Sequence, residues 1–273
     1  MSALNLPVLI EPDQLEAHLQ ETSLLIVDLR NPNSYAQGHI PGAVNLGYAN
    51  IIQPVPPAMG LLPDDNRLSA VFSALGLTPD THVIAYDDEG GGRASRLLWT
   101  LDALGHQHFS LLNGGLQAWV AGGHPLSQQG VQPTASAYQA EFEDSEAVAD
   151  KDYILSRLGQ PDLALLDTRS PGEYQGLDVR AARGGHIPGA VNMNWVTAID
   201  QANQLRFKPD AELRALLGGI GVTPDKEVIV YCQTHHRSAH TYMVLKYLGY
   251  QRVRGYHGAW SEWGNDPNLP VER

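Results

Sequence analysis

Apolar residues gather in short unalternated runs along this chain, and the runs recur in a fixed order. Leu24 to Val27 and Leu163 to Leu166 form one matching pair; His82 to Tyr86 and Glu227 to Tyr231 form another. Runs of four or five residues, rich in β-branched side chains and without polar alternation, are expected of strands buried on both faces. Between the members of each copy lie segments with helical spacing, Arg67 to Leu75 and Ala211 to Gly218. Longer ones follow the second run, Ala94 to Leu104 and Ala239 to Leu248. Strands that alternate with helices predict parallel sheets, and therefore α/β domains.

The recurrence is also literal. LLIVDLRNPNSY (Leu24 to Tyr35) is answered by LALLDTRSPGEY (Leu163 to Tyr174), and GHIPGAVN occurs identically from Gly38 to Asn45 and from Gly185 to Asn192. LGLTPDTHVIAYD (Leu75 to Asp87) is answered by IGVTPDKEVIVYC (Ile220 to Cys232), and Gly114 with Trp119 by Gly258 with Trp263. Two copies of domain size in preserved order exclude a solenoid and predict a duplicated domain. The division expected is a first domain over 1–127, a linker over 128–145 and a second domain over 146–273. Ser127 to Ala137 is polar and aperiodic and contains a proline, as an exposed linker would.

With 273 residues, 43% of them hydrophobic, the chain has material for two cores. The N-terminus, Met1 to Glu21, lacks a basic start and an apolar block, so no secretory signal is read and a cytoplasmic location is expected. No apolar run approaches the roughly 20 residues that span a bilayer, which excludes a membrane segment. The net charge of −12 disfavours nucleic acid as a partner. Residues 228–261 nevertheless carry four Lys or Arg and no Asp or Glu, so that window is +4 and the remainder −16.

That basic window contains the only cysteine, Cys232, which excludes a disulfide framework. Cys232 ends the run VIVY and is followed by Gln233, Thr234, His235, His236, Arg237 and Ser238 before a helical segment. A thiol at a strand-to-helix turn lies where backbone N–H groups converge and the helix N-terminus is positive, which stabilises a thiolate or a bound anion. His235, His236 and Arg237 add charge or donors that lower a thiol pKa from about 8.5. A zinc or copper site over Cys232, His235, His236 and His240 is disfavoured, because adjacent histidines diverge and paired-ligand spacings are missing. No metal or cofactor is expected. A cysteine phosphatase also sets a thiolate in an Arg-closed loop, but with five residues between Cys and Arg; here there are four, a tighter cradle suited to a sulfur atom.

The tandem Asp-x-Arg strand ends, the two GHIPGA motifs and the loop CQTHHR, present only in the second copy, resemble the two-domain rhodaneses, the thiosulfate sulfurtransferases. The loop itself is similar to that of bacterial rhodaneses. The resemblance spans nearly the whole chain. It implies that Cys232 takes the outer sulfur of thiosulfate as a persulfide and passes it to cyanide or another thiophilic acceptor, without a cofactor. It leaves open mercaptopyruvate as donor, or a protein that receives the sulfur. The first copy has Asp87 in place of the cysteine, so that domain is expected to be catalytically silent. Where the family has a substrate-binding Arg before the aromatic that follows Asp-x-Arg, this chain has Glu173 before Tyr174. Arg180 or Arg183, in the insertion GLDVRAAR found only in the second copy, is the candidate to supply that charge. Asp28, Arg30, Asp167 and Arg169 occur in both copies, as do the His-Ile-Pro-Gly units, so these read as structural.

Overall fold

The computed structural model describes residues 4–142 and 145–273. The first sequence copy forms β1 (Leu9–Ile10), α1 (Pro12–Glu16), β2 (Leu24–Asp28), α2 (Pro32–Gln37), β3 (Val44–Asn45) and a hairpin of β4 (Gln53–Val55) and β5 (Ala58–Leu61). It continues with α3 (Asp65–Ala74), β6 (His82–Tyr86), α4 (Gly92–Ala103), β7 (Phe109–Leu112) and α5 (Gly115–Ala121). The second copy repeats the order with β8 (Val148–Ala149), α6 (Lys151–Arg157), β9 (Leu163–Asp167), α7 (Pro171–Tyr174), β10 (Val191–Asn192) and a hairpin of β11 (Ile199–Asp200) and β12 (Arg206–Phe207). Then come α8 (Asp210–Gly219), β13 (Glu227–Tyr231), α9 (Arg237–Tyr247), β14 (Val253–Tyr256) and α10 (Ala259–Trp263).

Each copy builds a five-stranded parallel sheet, in the orders β1-β7-β6-β2-β3 and β8-β14-β13-β9-β10. The two orders are the same under the repeat. All five residues of β6 and of β13 are buried, which is why both read as unbroken apolar runs. Each fully buried aliphatic side chain there contributes roughly 1.5–3 kcal/mol. From β9 the chain steps outward to β10, and from β13 it steps the opposite way to β14. The carboxyl ends of β9 and β13 therefore lie at a topological switch point, the place where open α/β sheets bind ligands.

The shared motifs work as fasteners. The Arg30 guanidinium donates to Asp28 (2.6 Å from Nη2 to Oδ2) and to the Gly38 carbonyl (2.8 Å); Arg169 repeats this with Asp167 (2.5 Å) and Gly185 (2.7 Å). The Tyr86 and Tyr231 hydroxyls accept from the Ile40 and Ile187 N–H groups of the two HIPG turns. Gly42 and Gly189 take φ of +82° and +75°, left-handed as the turn requires. Trp119, Trp260 and Trp263 are buried core residues.

The chain clusters into two compact units that do not follow the repeat boundary strictly. One combines the residues up to Ile52, the stretch Pro63–Ser145 and Asp200–Phe207; the other combines Gln53–Leu62, Glu146–Ile199 and Lys208–Arg273. Each copy thus gives a hairpin to the unit built mainly from the other. This exchange is invisible in the repeat pattern, because hairpins of two to four residues per strand carry little periodicity. The expected linker 128–145 includes Glu143 and Asp144, which lie outside the described residues. The rest of it has neither helix nor strand and is fastened to α3: Ser136 N–H donates to the Ser73 carbonyl (2.9 Å) and Ala140 N–H to Ser69 Oγ (2.9 Å). No helix among the described residues is long and apolar enough to cross a membrane.

Candidate active site

β13 delivers Cys232 to the end of its sheet, 1% exposed, and α9 begins five residues later. Between them His235 is left-handed (φ +54°) and His236 right-handed (φ −91°, ψ −61°). Successive residues of opposite hand curl the backbone so that its N–H groups face inward as an anion nest. The left-handed His235, costing about 1 kcal/mol, is fully buried and tied by Nδ1 to Ser238 Oγ at 2.7 Å. When Nδ1–H donates, the Ser238 hydroxyl keeps its own hydrogen for the sulfur.

Burial pushes the Cys232 thiol up, but it is outweighed by the Arg237 charge, the Ser238 hydroxyl and the backbone N–H groups of Ser238 and Thr234. The net effect holds the thiol below its ordinary value. The guanidinium responsible is itself held. Arg237 forks onto Glu173, Nη1 to Oε2 at 2.7 Å and Nη2 to Oε1 at 2.8 Å. Glu173 is 1% exposed. Its burial would raise its pKa, yet the Arg237 hydrogen bond and charge, with the Ser170 N–H and hydroxyl, bring it down to about 2.

Glu173 was legible only in part. The run Ser170-Pro-Gly-Glu173 carries the S-x-x-E signature of a capping box, which α7 forms. Nothing in the run says that the same carboxylate also meets a guanidinium 64 residues away.

The two arginines expected to supply positive charge are placed differently. Arg180, 53% exposed in its side chain, bonds Asp178 (Nη2 to Oδ2, 2.8 Å) and stands 3.7 Å from Glu173 Oε1. Its carbonyl accepts from Gln233 Nε2 (3.1 Å), so it borders the loop. Arg183 is committed elsewhere, donating to the carbonyls of Leu269 (2.8 Å), Trp263 (3.0 Å) and Asp266. His236 and His240 lie against the Trp195 ring, at centroid distances of 5.9 and 5.2 Å. Among the described residues no three His, Cys, Asp or Glu side chains gather to hold a metal ion.

The corresponding loop of the first copy also has a left-handed third position, Gly90 (φ +93°), but the next residue, Gly91, is left-handed too (φ +98°) where His236 is right-handed, and the occupant differs. The fully buried Asp87 carboxylate accepts from the N–H groups of Glu89 (3.0 Å), Gly91 (2.8 Å), Arg93 (2.9 Å) and Ala94 (3.0 Å). The cradle there is filled by the chain's own carboxyl group, which burial and the neighbouring Glu89 push above its ordinary value against the N–H groups that hold it.

A duplicated parallel α/β sheet, with an anion nest at the end of the central strand and a lowered thiol in one copy, defines a class of thiolate-bearing anion-loop proteins. The chain belongs to the rhodanese-like domain family, whose model matches residues 11–122 and 150–266. It is 48% identical to a thiosulfate sulfurtransferase of Azotobacter vinelandii and 47% identical to one of Pseudomonas aeruginosa. Each alignment runs over 268 residues and covers 98% of both chains. A sulfur carrier protein of Thermus thermophilus is 33% identical over 97% of this chain and 96% of its own. Among solved structures, an anaerobic ergothioneine biosynthesis enzyme from Chlorobium limicola has the same fold. It has a TM-score of 0.87 at 24% identity and covers 97% of this chain and 70% of that one.

Proposed function

We propose that the protein is a thiosulfate sulfurtransferase that works through a persulfide at Cys232, its loop Cys232 to Arg237 being of the bacterial rhodanese type. The observation that carries this reading is the buried thiol held low by Arg237, Ser238 and the Thr234 N–H. Full-length relatives of that activity support it. The Cys232 thiolate attacks the outer sulfur of thiosulfate; the S–S bond breaks and its electron pair leaves on sulfite. The persulfide formed on Cys232 ends in an anionic sulfur, which Arg237, the loop N–H groups and Ser238 stabilise as they did the thiolate. Cyanide then attacks the terminal sulfur through carbon, thiocyanate leaves, and the thiolate returns. His235 serves through Ser238, and Gln233 and His236 shape the loop rim. The first domain, its cradle filled by Asp87, is silent.

The 33% identical sulfur carrier protein favours a second acceptor class, a protein thiol, whose thiolate attacks the outer sulfur and releases the Cys232 thiolate. Intact mass before and after thiosulfate, and again after cyanide, tests the cycle in the purified protein. One added sulfur that cyanide removes is the expected result. An adduct from mercaptopyruvate and none from thiosulfate would replace the donor; no adduct from either would overturn the reading.

A further inference from the structure

The β4–β5 hairpin comes from the first sequence copy but belongs to the unit that holds Cys232. Its backbone lies directly on the sulfur loop. A Cβ placed on Gly60 would stand 2.2 Å from the Thr234 carbonyl oxygen and 2.9 Å from that of His257. One residue earlier, the Met59 N–H donates to Ser261 Oγ (3.0 Å), and two later the Leu62 N–H donates to His257 Nδ1 (3.1 Å). Ser261 in turn donates its own N–H to the Gln233 carbonyl (3.0 Å), next to the Trp260 N–H on the Cys232 carbonyl (2.9 Å).

Three consecutive carbonyls of the loop are therefore met from outside. A trans peptide is planar, with its N–H pointing opposite to its C=O. Holding the Gln233 carbonyl toward Ser261 turns the N–H of the same peptide, that of Thr234, toward the sulfur. Holding the Thr234 carbonyl against Gly60 fixes the next plane, at the point where the chain enters its left-handed residue, His235.

We infer that Gly60 and Ser261 are positioning residues for the sulfur-transfer reaction: the hairpin and the start of α10 set the peptide planes that aim the loop N–H groups at Cys232. Neither residue touches the reacting atoms. The inference rests on the proposed function, in which Cys232 carries the sulfur.

The test is the pH profile of iodoacetamide alkylation, read on the single cysteine, with thiosulfate-to-cyanide turnover measured alongside. Gly60→Ala must push the Thr234 carbonyl away, and the alkylation midpoint should rise by about one pH unit, a tenfold loss of thiolate below the midpoint, with kcat reduced in parallel. Ser261→Ala keeps its N–H on Gln233 but frees Met59 from its acceptor; it adds no bulk, and should shift the profile in the same direction by a smaller amount even where Gly60→Ala yields no folded protein. Gly130→Ala, whose Cβ meets open space, should match the wild type. A merely structural role would lower the melting temperature and leave the midpoint in place. Wild-type profiles in both Gly60→Ala and Ser261→Ala, in a protein that does take up cyanide-labile sulfur, would overturn the positioning role alone. Absence of sulfur uptake by the wild type would overturn the proposed function, and with it this inference.

Discussion

Arg237→Ala separates the two tasks of one guanidinium. In the fold it neutralises Glu173, a carboxylate 1% exposed and held at about 2 against an ordinary 4.5. At about 1.4 kcal/mol per pKa unit, that depression corresponds to about 3 kcal/mol of stability at neutral pH. Because the folded pKa lies below the unfolded one, this stability is fully present above pH 4.5 and disappears as pH falls through 2. Removing Arg237 leaves the buried carboxylate with the Ser170 donors and the exposed Arg180, 3.7 Å away, as its remaining support, and the expected loss is about 3 kcal/mol in urea unfolding. At the sulfur the same substitution removes the largest influence opposing burial. The alkylation midpoint of Cys232 should rise, because burial then meets less opposition, and reactivity at pH 7 should fall about tenfold for each pH unit of that rise. Arg237→Ala/Glu173→Gln then distinguishes the effects. Deleting the stranded charge should recover most of the stability and none of the thiol reactivity. A midpoint in Arg237→Ala equal to the wild type would refute the electrostatic account of the thiol, and a double variant no more stable than the single would refute the account of the pair.

Cys232→Ser should abolish sulfur uptake in the intact-mass assay while leaving the unfolding transition within about 1 kcal/mol of wild type, since the change is small in volume. Asp87→Ala strands four inward N–H groups in the first copy and should cost about 3 kcal/mol or more in urea unfolding, without moving the Cys232 alkylation midpoint. His82, buried and accepting or donating at both ring nitrogens, is held down to about 4, chiefly by burial. The unfolded chain therefore binds the extra proton first, and stability should fall by about 3 kcal/mol between pH 6.5 and 4; His82→Gln should flatten that slope in pH-dependent unfolding. Arg183→Ala should lower stability and leave turnover unchanged, whereas Arg180→Ala, at the loop edge, should raise KM for thiosulfate if Arg180 contributes charge to donor binding.

The parts of this protein that are local in sequence were legible there. Strands buried on both faces leave unbroken apolar runs, and β6 and β13 start and end where those runs do. A literal repeat declares two sheets of one topology, and a cysteine before a helix with basic neighbours declares a place for a thiolate, because βα turns gather N–H groups whatever the rest of the chain does. The tertiary structure decided what meets that loop from a distance. Glu173 shows one signal, a capping box, and its second partner is brought to it only when α7 and α9 pack. Arg180 and Arg183 are three residues apart with the same chemistry. One borders the loop and the other is spent on carbonyls near the C-terminus, a difference made by where those carbonyls end up. Gly60 reads as one glycine among 27; its meaning lies in a carbonyl oxygen 174 positions later that leaves no room for a Cβ. Periodicity records which face of an element is buried. It carries no information about which distant backbone lies across that face, and in this protein that backbone sets the peptide planes around the sulfur.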